Sequence, residues 1–172
     1  MTNERVDQPR QQQESILTEP RRATPDDSGE LARLRLVMLR AEPPIEDSSW
    51  TAEAARWFRD QLDANPSFAA YVIADSTGLV CCAAGLVNHH PPRPGASPYR
   101  GHLFSVATDP EHRRRGYARA CVSALREWLV ERGAASVTLT SSPDGHELYR
   151  SLGFARDPDD YMVWRQPRSP ES

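Results

Sequence analysis

The chain contains no lysine, because all 21 of its basic residues are arginines. Without lysine the protein cannot form a Schiff base with a carbonyl substrate. It also lacks the phosphate-binding lysine of Walker-type nucleotide sites. Positive charge in this chain is therefore always that of a guanidinium, which stays protonated.

Cysteine is scarce as well, with only Cys81, Cys82 and Cys121. Adjacent residues on a strand point to opposite faces, so the Cys81-Cys82 pair is a poor metal clip. We expect three small buried thiols and no metal site. No apolar run approaches the length of a membrane span, and the polar N-terminus lacks the apolar segment of a secretory signal. These absences predict a cytoplasmic protein with no membrane association.

Excess positive charge is also missing. The net charge of −3 argues against broad attraction to nucleic acid. The arginine run at residues 113–115 has no interleaved aromatic side chains on which bases would stack. The length of 172 residues fits one domain. We predict that domain over residues 17–166, between a polar tail at residues 1–16 and a loose end at residues 167–172.

One stretch organises the rest of the chain. An apolar strand predicted at residues 103–108 ends at Asp109-Pro110, and an arginine-rich turn leads to Gly116, where a helix begins. Backbone N–H groups at a helix N-terminus have no partner within the helix, and the helix dipole adds positive charge there. Gly116 would let a ligand approach the backbone closely. This stretch therefore predicts a phosphate or pyrophosphate site.

The same residues resemble a known family. Residues 113–118, Arg-Arg-Arg-Gly-Tyr-Ala, are similar to the acyl-CoA pyrophosphate loop of the GCN5-related N-acetyltransferases. Residues 106–110 resemble that family's pantetheine-binding strand, and residues 145–154 resemble its C-terminal helix-and-turn signature. The motifs occur in the family's order, and the resemblance covers roughly residues 18–166.

The resemblance implies an α/β fold with a mixed central sheet, flanked by helices and splayed between its fourth and fifth strands. The sequence pattern itself predicts alternating strands and helices, with a β-hairpin turned at residues 75–78. Strands are predicted at residues 18–23, 68–74, 79–87, 103–108, 136–140 and 161–164. Helices are predicted from residue 24 to the Glu42-Pro43-Pro44 stop, over residues 50–62, from residue 116 to Gly133, and around Leu148 up to Gly153.

Two further segments are interpreted from their composition. Apolar residues recur at helical spacing at Trp50, Ala54, Trp57, Phe58 and Leu62. We interpret the aromatic ones as part of the hydrophobic core rather than as a ligand-binding cluster. Four prolines at residues 88–101 predict an irregular loop that would wall an acceptor site. His112 and His146 flank the cofactor motifs and are expected to face solvent.

The resemblance implies acetyl-CoA as the acyl donor, with no metal. Tyr149 stands at the position of the family's general acid, which protonates the coenzyme A thiolate; a packed core tyrosine is the alternative. Ser142 replaces an asparagine that contacts the cofactor in many relatives. The implied cofactor contacts are Val106, Ala107, Thr108, Arg113, Arg114, Arg115, Gly116, Tyr117, Ala118, Arg119 and Ser142.

A general base is harder to place, because no carboxylate occupies the fourth or fifth strand. Many relatives carry a glutamate there. His102 is the candidate base, with His89 and His90 as further candidates and a water chain as the alternative. Each histidine has a surface or structural role as its other interpretation. Three carboxylates between the first helices either attract a cationic amine or form a solvated loop: Glu42, Glu46 and Asp47.

We expect an N-acetyltransferase that moves an acetyl group from acetyl-CoA to a primary amine of a small molecule, by direct attack in a ternary complex. A peptide or protein N-terminal amine is one alternative, since the segment before Leu148-Tyr149 resembles the ribosomal-protein alanine acetyltransferases. A noncatalytic acyl-CoA-binding regulatory module is the other. Relatives are often homodimers, and no sequence feature decides the oligomeric state.

Overall fold

The computed structural model describes residues 19–40 and 49–157 of the chain. They form two compact units, one ending at Thr140 and one beginning at Ser141. The first unit contains β1 (Arg21–Arg22), α1 (Ser28–Leu39), α2 (Thr51–Ala64), β2 (Phe68–Asp75), β3 (Gly78–His89), β4 (Tyr99–Thr108), α3 (Tyr117–Glu131) and β5 (Val137–Leu139). The second unit contains α4 (His146–Ser151).

The five strands form one mixed sheet in the order β1-β2-β3-β4-β5. Successive strands from β1 to β4 pair antiparallel, whereas β5 pairs parallel to β4. Because α3 lies between β4 and β5 in the chain, it supplies the crossover that a parallel pair requires. The predicted α/β fold class is therefore confirmed.

The β2–β3 hairpin turns at the predicted residues. The backbone N–H and the hydroxyl of Thr77 donate to Asp75 Oδ1 at 2.7 and 2.6 Å, which holds the turn closed. Most residues of both arms are buried, as expected for strands that are covered on both faces.

Helices cover both faces of the sheet. On one face, Leu31 and Leu34 of α1 and Phe58 of α2 join Phe68 of β2 in a buried cluster. On the other face α3 packs so closely that a Cβ on Gly101 would lie 3.0 Å from Leu129. A glycine in the strand therefore lets the helix approach the sheet.

Two expectations about exposure were wrong. Trp57 is 41% exposed and meets Phe58 only edge to face, so it is not a core residue. The spacing that placed it on one helical face with Phe58 does not reveal where the apolar face ends. His112 is partly buried rather than solvent-facing, because its ring reaches Asp75.

The strands on either side of the proline loop are longer than predicted. β3 continues to His89 and β4 begins at Tyr99, and these two residues pair with each other. The prolines lie between them, so they interrupt the ladder only at its end. The irregular segment is accordingly shorter than the predicted residues 88–101.

The three cysteines are buried and free, as predicted. Burial raises the pKa of the Cys82 thiol, which makes it a poor nucleophile. Within residues 19–40 and 49–157, no cluster of His, Cys, Asp or Glu side chains could hold a metal ion. None of the helices in that part of the chain is long and apolar enough to cross a bilayer.

Several predictions fall outside the described residues: the tail at residues 1–16, the acidic residues Glu42, Glu46 and Asp47, the strand at residues 161–164 and the end at residues 167–172. The single domain over residues 17–166 likewise stays a prediction.

Candidate active site

The pairing between β4 and β5 covers only part of β4. β5 pairs with Gly101, His102 and Leu103 and goes no further. In the described part of the chain, no strand lies along the remaining five residues of that edge, from Phe104 to Thr108. Five strand residues span about 16 Å, which leaves an edge to which an extended ligand arm can add.

A β-bulge re-aims β4 at the start of this edge. Ala83 of β3 lies opposite two residues, Ser105 and Val106, because the register shifts there. Ser105 has a φ of +48°, which is uncommon for a residue other than glycine. Its hydroxyl accepts a 2.5 Å hydrogen bond from Arg35 Nη1, and its carbonyl accepts one from the Cys82 thiol at 3.3 Å. These contacts hold the strained residue in place.

After Thr108 the chain forms what we call the arginine loop, residues 109–116. Arg114 has a φ of +64° and Gly116 a φ of +84°, so the backbone turns sharply twice before α3 begins at Tyr117. A Cβ added to Gly116 would meet no protein atom within 4 Å. The backbone at this point therefore faces open space, where a ligand can approach it closely.

The arginine loop ends at the N-terminus of a fifteen-residue helix. The first intrahelical hydrogen bond runs from Ala120 N to Gly116 O at 3.0 Å. The amides of Tyr117 and Ala118 precede it and have no acceptor within the helix. The helix dipole and these amides favour a bound anion.

Three exposed arginines add charge at the same place. Arg113 Nε donates to Thr108 O at 3.4 Å, and Arg115 Nη2 donates to Glu111 O at 3.2 Å. Among residues 19–40 and 49–157, no carboxylate forms an ion pair with Arg113, Arg114 or Arg115. Their positive charge is available to a ligand.

Two contacts between side chains, an ion pair and a hydrogen bond, tie the arginine loop to other elements. Arg33 of α1 donates to both carboxylate oxygens of Asp109 at 2.9 and 3.1 Å, and to Leu79 O at 2.6 Å. His112 Nε2 lies 3.0 Å from Asp75 Oδ2 in the β2–β3 turn. The hydroxyl and amide of Thr77, and then His112, hold the pKa of Asp75 below its ordinary value. The loop is thus anchored to a helix and to a hairpin.

A cleft of about 300 Å³ opens beside α1 and α2. We call it the indole cleft, and its lining residues are Arg35, Trp50, Glu53, Ala54 and Trp57. It borders β4, because Arg35 bonds Ser105 and the Trp57 ring lies 6.3 Å from that of Phe104. The cleft therefore lies next to the bulge.

The candidate base His102 lies on β4 opposite Thr138 of β5, one residue before the pairing of these strands ends. Its Nδ1 is 3.1 Å from the Thr138 hydroxyl, and its ring stacks on Phe104 at 5.8 Å. The Phe104 ring also contacts Trp57 of the indole cleft. His102 thus faces the same side of the sheet as the cleft, and its assignment as a base stays a prediction.

His89 and His90 lie further from the bulge. His89 pairs with Tyr99 and stacks on its ring at 4.9 Å, six strand residues before Ser105. That separation corresponds to about 20 Å along β4. The amide of His90 donates to Pro98 O at 2.8 Å. The structure does not bring these two histidines to the bulge.

In the second unit, the signature around Tyr149 forms a Schellman cap. Gly153, with a φ of +87°, donates to Arg150 O, and Phe154 N donates to Tyr149 O, both at 3.0 Å. The Phe154 ring packs edge to face on Tyr149 at 5.8 Å. The tyrosine is therefore buried and held by the helix end. Ser142 precedes a 3₁₀ turn, Pro143–Gly145, and its side chain makes no capping hydrogen bond.

The indole cleft was not predicted from the sequence. One face of α2 and its N-cap carries Trp50, Glu53, Ala54 and Trp57. However, a face buried in the core would show the same helical spacing. Arg35 comes from another helix, and nothing in its neighbours distinguishes it from Arg33. Only Glu53, a carboxylate among apolar residues of that face, offered a signal.

Comparison with known proteins gives a consistent result. The sequence model of the acetyltransferase (GNAT) family matches residues 33–154. An acetyltransferase structure from Clostridium acetobutylicum, described as predicted and solved with acetyl-CoA, superposes with a TM-score of 0.75 at 23% identity, covering 86% of this chain and 95% of the other. A GCN5-related N-acetyltransferase from Ralstonia eutropha superposes with a TM-score of 0.68 at 26% identity, covering 85% and 97%.

Among curated proteins, the match is shorter. The [ribosomal protein bS18]-alanine N-acetyltransferase of Escherichia coli K12 is 40% identical over 55 residues, which are 30% of this chain and 37% of that enzyme. The chain spans 26 to 37% of the length of the curated relatives that it matches.

Proposed function

Since the chain belongs to the acetyltransferase (GNAT) family, we propose that it transfers an acetyl group from acetyl-CoA to a primary amine of a small molecule. The observation that carries this proposal is the continuity of the β4 edge with the arginine loop. From Phe104 to Thr108 no strand of residues 19–40 or 49–157 lies beside this edge, which leads directly into the amides at the start of α3 and into guanidinium groups without an ion pair in those residues. That arrangement suits an extended arm that ends in a pyrophosphate.

In the proposed complex, backbone groups of Val106, Ala107 and Thr108 bind the pantetheine arm. The arginine loop and the first turn of α3, including Arg119, hold the pyrophosphate. Ser142 is retained as a proposed cofactor contact on the resemblance alone. These groups would fix the thioester before the acceptor arrives, which lowers the entropic part of the barrier.

The proposed reaction is direct attack in a ternary complex. The neutral amine nitrogen forms a bond to the thioester carbon, the carbonyl oxygen gains negative charge, and the C–S bond then breaks. A backbone N–H at the bulge is the proposed donor to that oxygen. Tyr149 gives its proton to the departing thiolate, and His102 or a water chain takes the proton from the amine.

A peptide or protein N-terminal amine is a second candidate acceptor. The similarity to the bS18-alanine N-acetyltransferase favours it. The indole cleft favours a small molecule, because 300 Å³ is at the lower end of the size of small-ligand pockets.

Two measurements test the proposal. Calorimetric titration with coenzyme A should give saturable heat, and thiol release from acetyl-CoA should depend on an added amine drawn from a panel of small amines and N-terminal peptides. The protein's own three thiols are buried and should contribute little to the thiol signal. A reaction without acceptor measures this background. No heat would refute donor binding. Saturable binding without turnover on any amine would instead indicate a noncatalytic acyl-CoA-binding module.

A further inference from the structure

Among the described residues that line the indole cleft, one is a cation and one is an anion, and they do not pair with each other. Arg35 and Glu53 both line it, yet no ion pair within 4.0 Å joins them. In the described residues, neither side chain has any other charged partner. Two opposite charges held apart in one cleft are complementary to a ligand that carries both.

Arg35 differs from its neighbour on the same helix. Arg33 donates to Glu30, Asp109 and Leu79 O, so most of its N–H groups are used within the protein. Arg35 makes one bond, to the neutral hydroxyl of Ser105. A guanidinium has five donors, and the remaining ones can bind a carboxylate in two-pronged geometry.

The other lining residues that the structure describes are apolar or aromatic. Trp50, which caps the N-terminus of α2, and Trp57 of α2 line the cleft, with Ala54 between them in the chain. The Trp57 ring is fixed edge to face by Phe58 and Phe68 at 5.2 and 5.5 Å while 41% of the residue stays exposed. A fixed and partly exposed indole suits a planar apolar group of a ligand.

The position of Arg35 sets the order of groups on the ligand. Its bond to Ser105 places the guanidinium at the bulge of β4, where the proposed reaction occurs. A carboxylate bound by Arg35 therefore lies close to the attacking amine. In an α-amino acid these two groups are attached to the same carbon.

We propose that the acceptor is a free α-amino acid with an aromatic or large apolar side chain. This inference rests on the proposed acetyl transfer and specifies its substrate class. Arg35 binds the α-carboxylate, Glu53 attracts the α-ammonium before it loses its proton, and the two indoles contact the side chain. Acetylation converts the amine to an amide, so the product no longer has the positive charge that Glu53 attracts.

The test compares L-phenylalanine with L-phenylalaninamide, which differ in the charge of one group. With acetyl-CoA as donor, the wild-type kcat/KM for phenylalanine should exceed that for the amide by about tenfold. Arg35→Gln should raise KM for phenylalanine about tenfold more than KM for the amide, so that the preference for phenylalanine falls to about one. Any effect of the lost bond to Ser105 on the bulge would act on both acceptors alike. Glu53→Gln should weaken both acceptors, because both carry the ammonium.

Arg59→Gln is the matched control, since it removes one exposed arginine from α2 outside the cleft. It should leave the preference intact. Coenzyme A titration of each variant separates a change in the acceptor site from a change in donor binding. Equal use of phenylalanine and its amide, or a preference for the amide or for peptides, would overturn the inference while leaving the transferase proposal standing.

If no amine is turned over, equilibrium titration still decides. Phenylalanine should bind the wild-type protein, and its Kd should rise about tenfold in Arg35→Gln but not in Arg59→Gln. Absence of phenylalanine binding would overturn the assignment of the cleft. Absence of turnover with intact, Arg35-dependent binding would count against the transferase reaction alone.

Discussion

The arginine loop and the indole cleft lie at the two ends of a five-residue stretch of β4, and they are built differently. The loop consists of backbone amides, a left-handed glycine and arginines that follow one another in the chain. The cleft is lined by side chains from α1, from α2 and from Trp50 before it, and the bond between Arg35 and Ser105 that connects it to β4 joins residues 70 positions apart. One is defined by local backbone conformation and the other by packing.

The difference matches what each region would bind. A pyrophosphate is the same in every reaction that uses coenzyme A, and amides at a helix N-terminus can bind it whatever side chains they carry. An acceptor must be distinguished from other amines, which requires particular side chains at particular distances. We therefore expect changes in the loop to alter donor affinity, and changes in the cleft to alter acceptor choice.

The largest effect is expected from a residue outside both regions. Tyr149→Phe should lower kcat about 100-fold, because the thiolate then leaves without a proton donor. Coenzyme A affinity, measured by titration, should change little. Tyr71→Phe removes a phenolic hydroxyl from β2 and serves as the control. A wild-type rate in Tyr149→Phe would assign the tyrosine a purely structural role at its helix cap.

Gly116→Leu should weaken coenzyme A binding about 30-fold, since its side chain would occupy the space in front of the loop amides. Gly95→Leu is a matched control, because Gly95 also has a positive φ, of +72°, and no atom within 4 Å of an added Cβ. Both variants carry similar backbone strain, so only the first should lose affinity in titration. Equal affinities of the two variants for coenzyme A would mean that the pyrophosphate binds elsewhere.

The two arginines of α1 should respond differently to the same substitution. Arg33→Gln should lower the free energy of unfolding by about 2 kcal/mol, discounted for partial exposure, because it removes the bonds to Asp109 and Leu79. Arg35→Gln removes one bond and should cost about 1 kcal/mol. Chemical denaturation measures both. A larger cost for Arg35 than for Arg33 would mean that Arg35 is a structural residue rather than a ligand-binding one.

The smallest effect concerns the second anchor of the loop. The pKa of Asp75 is lower than its ordinary value of 3.8, so its carboxylate stabilises the folded state at neutral pH. That contribution is lost as pH falls through the lower folded pKa. Asp75→Asn should therefore reduce Tm slightly at pH 7 and flatten its decline between about pH 5 and pH 2. Asp63→Asn, an exposed helical carboxylate, should leave the decline unchanged.

Most of the fold could be read from local patterns. The hairpin turn at Asp75–Gly78 and the helix ends at Gly133 and Gly153 depend on a few adjacent residues, and each lies where the sequence predicted it. The two helix ends are Schellman caps that need a residue with positive φ, which glycine supplies at low cost. Strand ends were less accurate, because pairing of His89 with Tyr99 extends both strands toward the prolines.

The exposure of α2 residues could not be read in this way. Helical spacing places Trp57 beside Phe58 in one apolar group, yet Phe58 is buried and Trp57 is 41% exposed. The width of the buried stripe depends on how α1 and the sheet meet α2, and that is a tertiary property. The bulge at Ser105 has the same origin, since its positive φ is held by groups from α1 and β3.

The sequence by itself determined the arginine loop. All residues of that loop lie within eight positions of the start of α3, and its backbone turns depend only on these neighbouring residues. Only the tertiary structure decided which arginine of α1 donates most of its hydrogen bonds within the protein and which lines a cleft. Arg33 meets Asp109 across 76 residues, and Arg35 meets Ser105 across 70. A helix presents each of its side chains to whatever the fold brings against it, and neighbours in sequence carry no information about that surface.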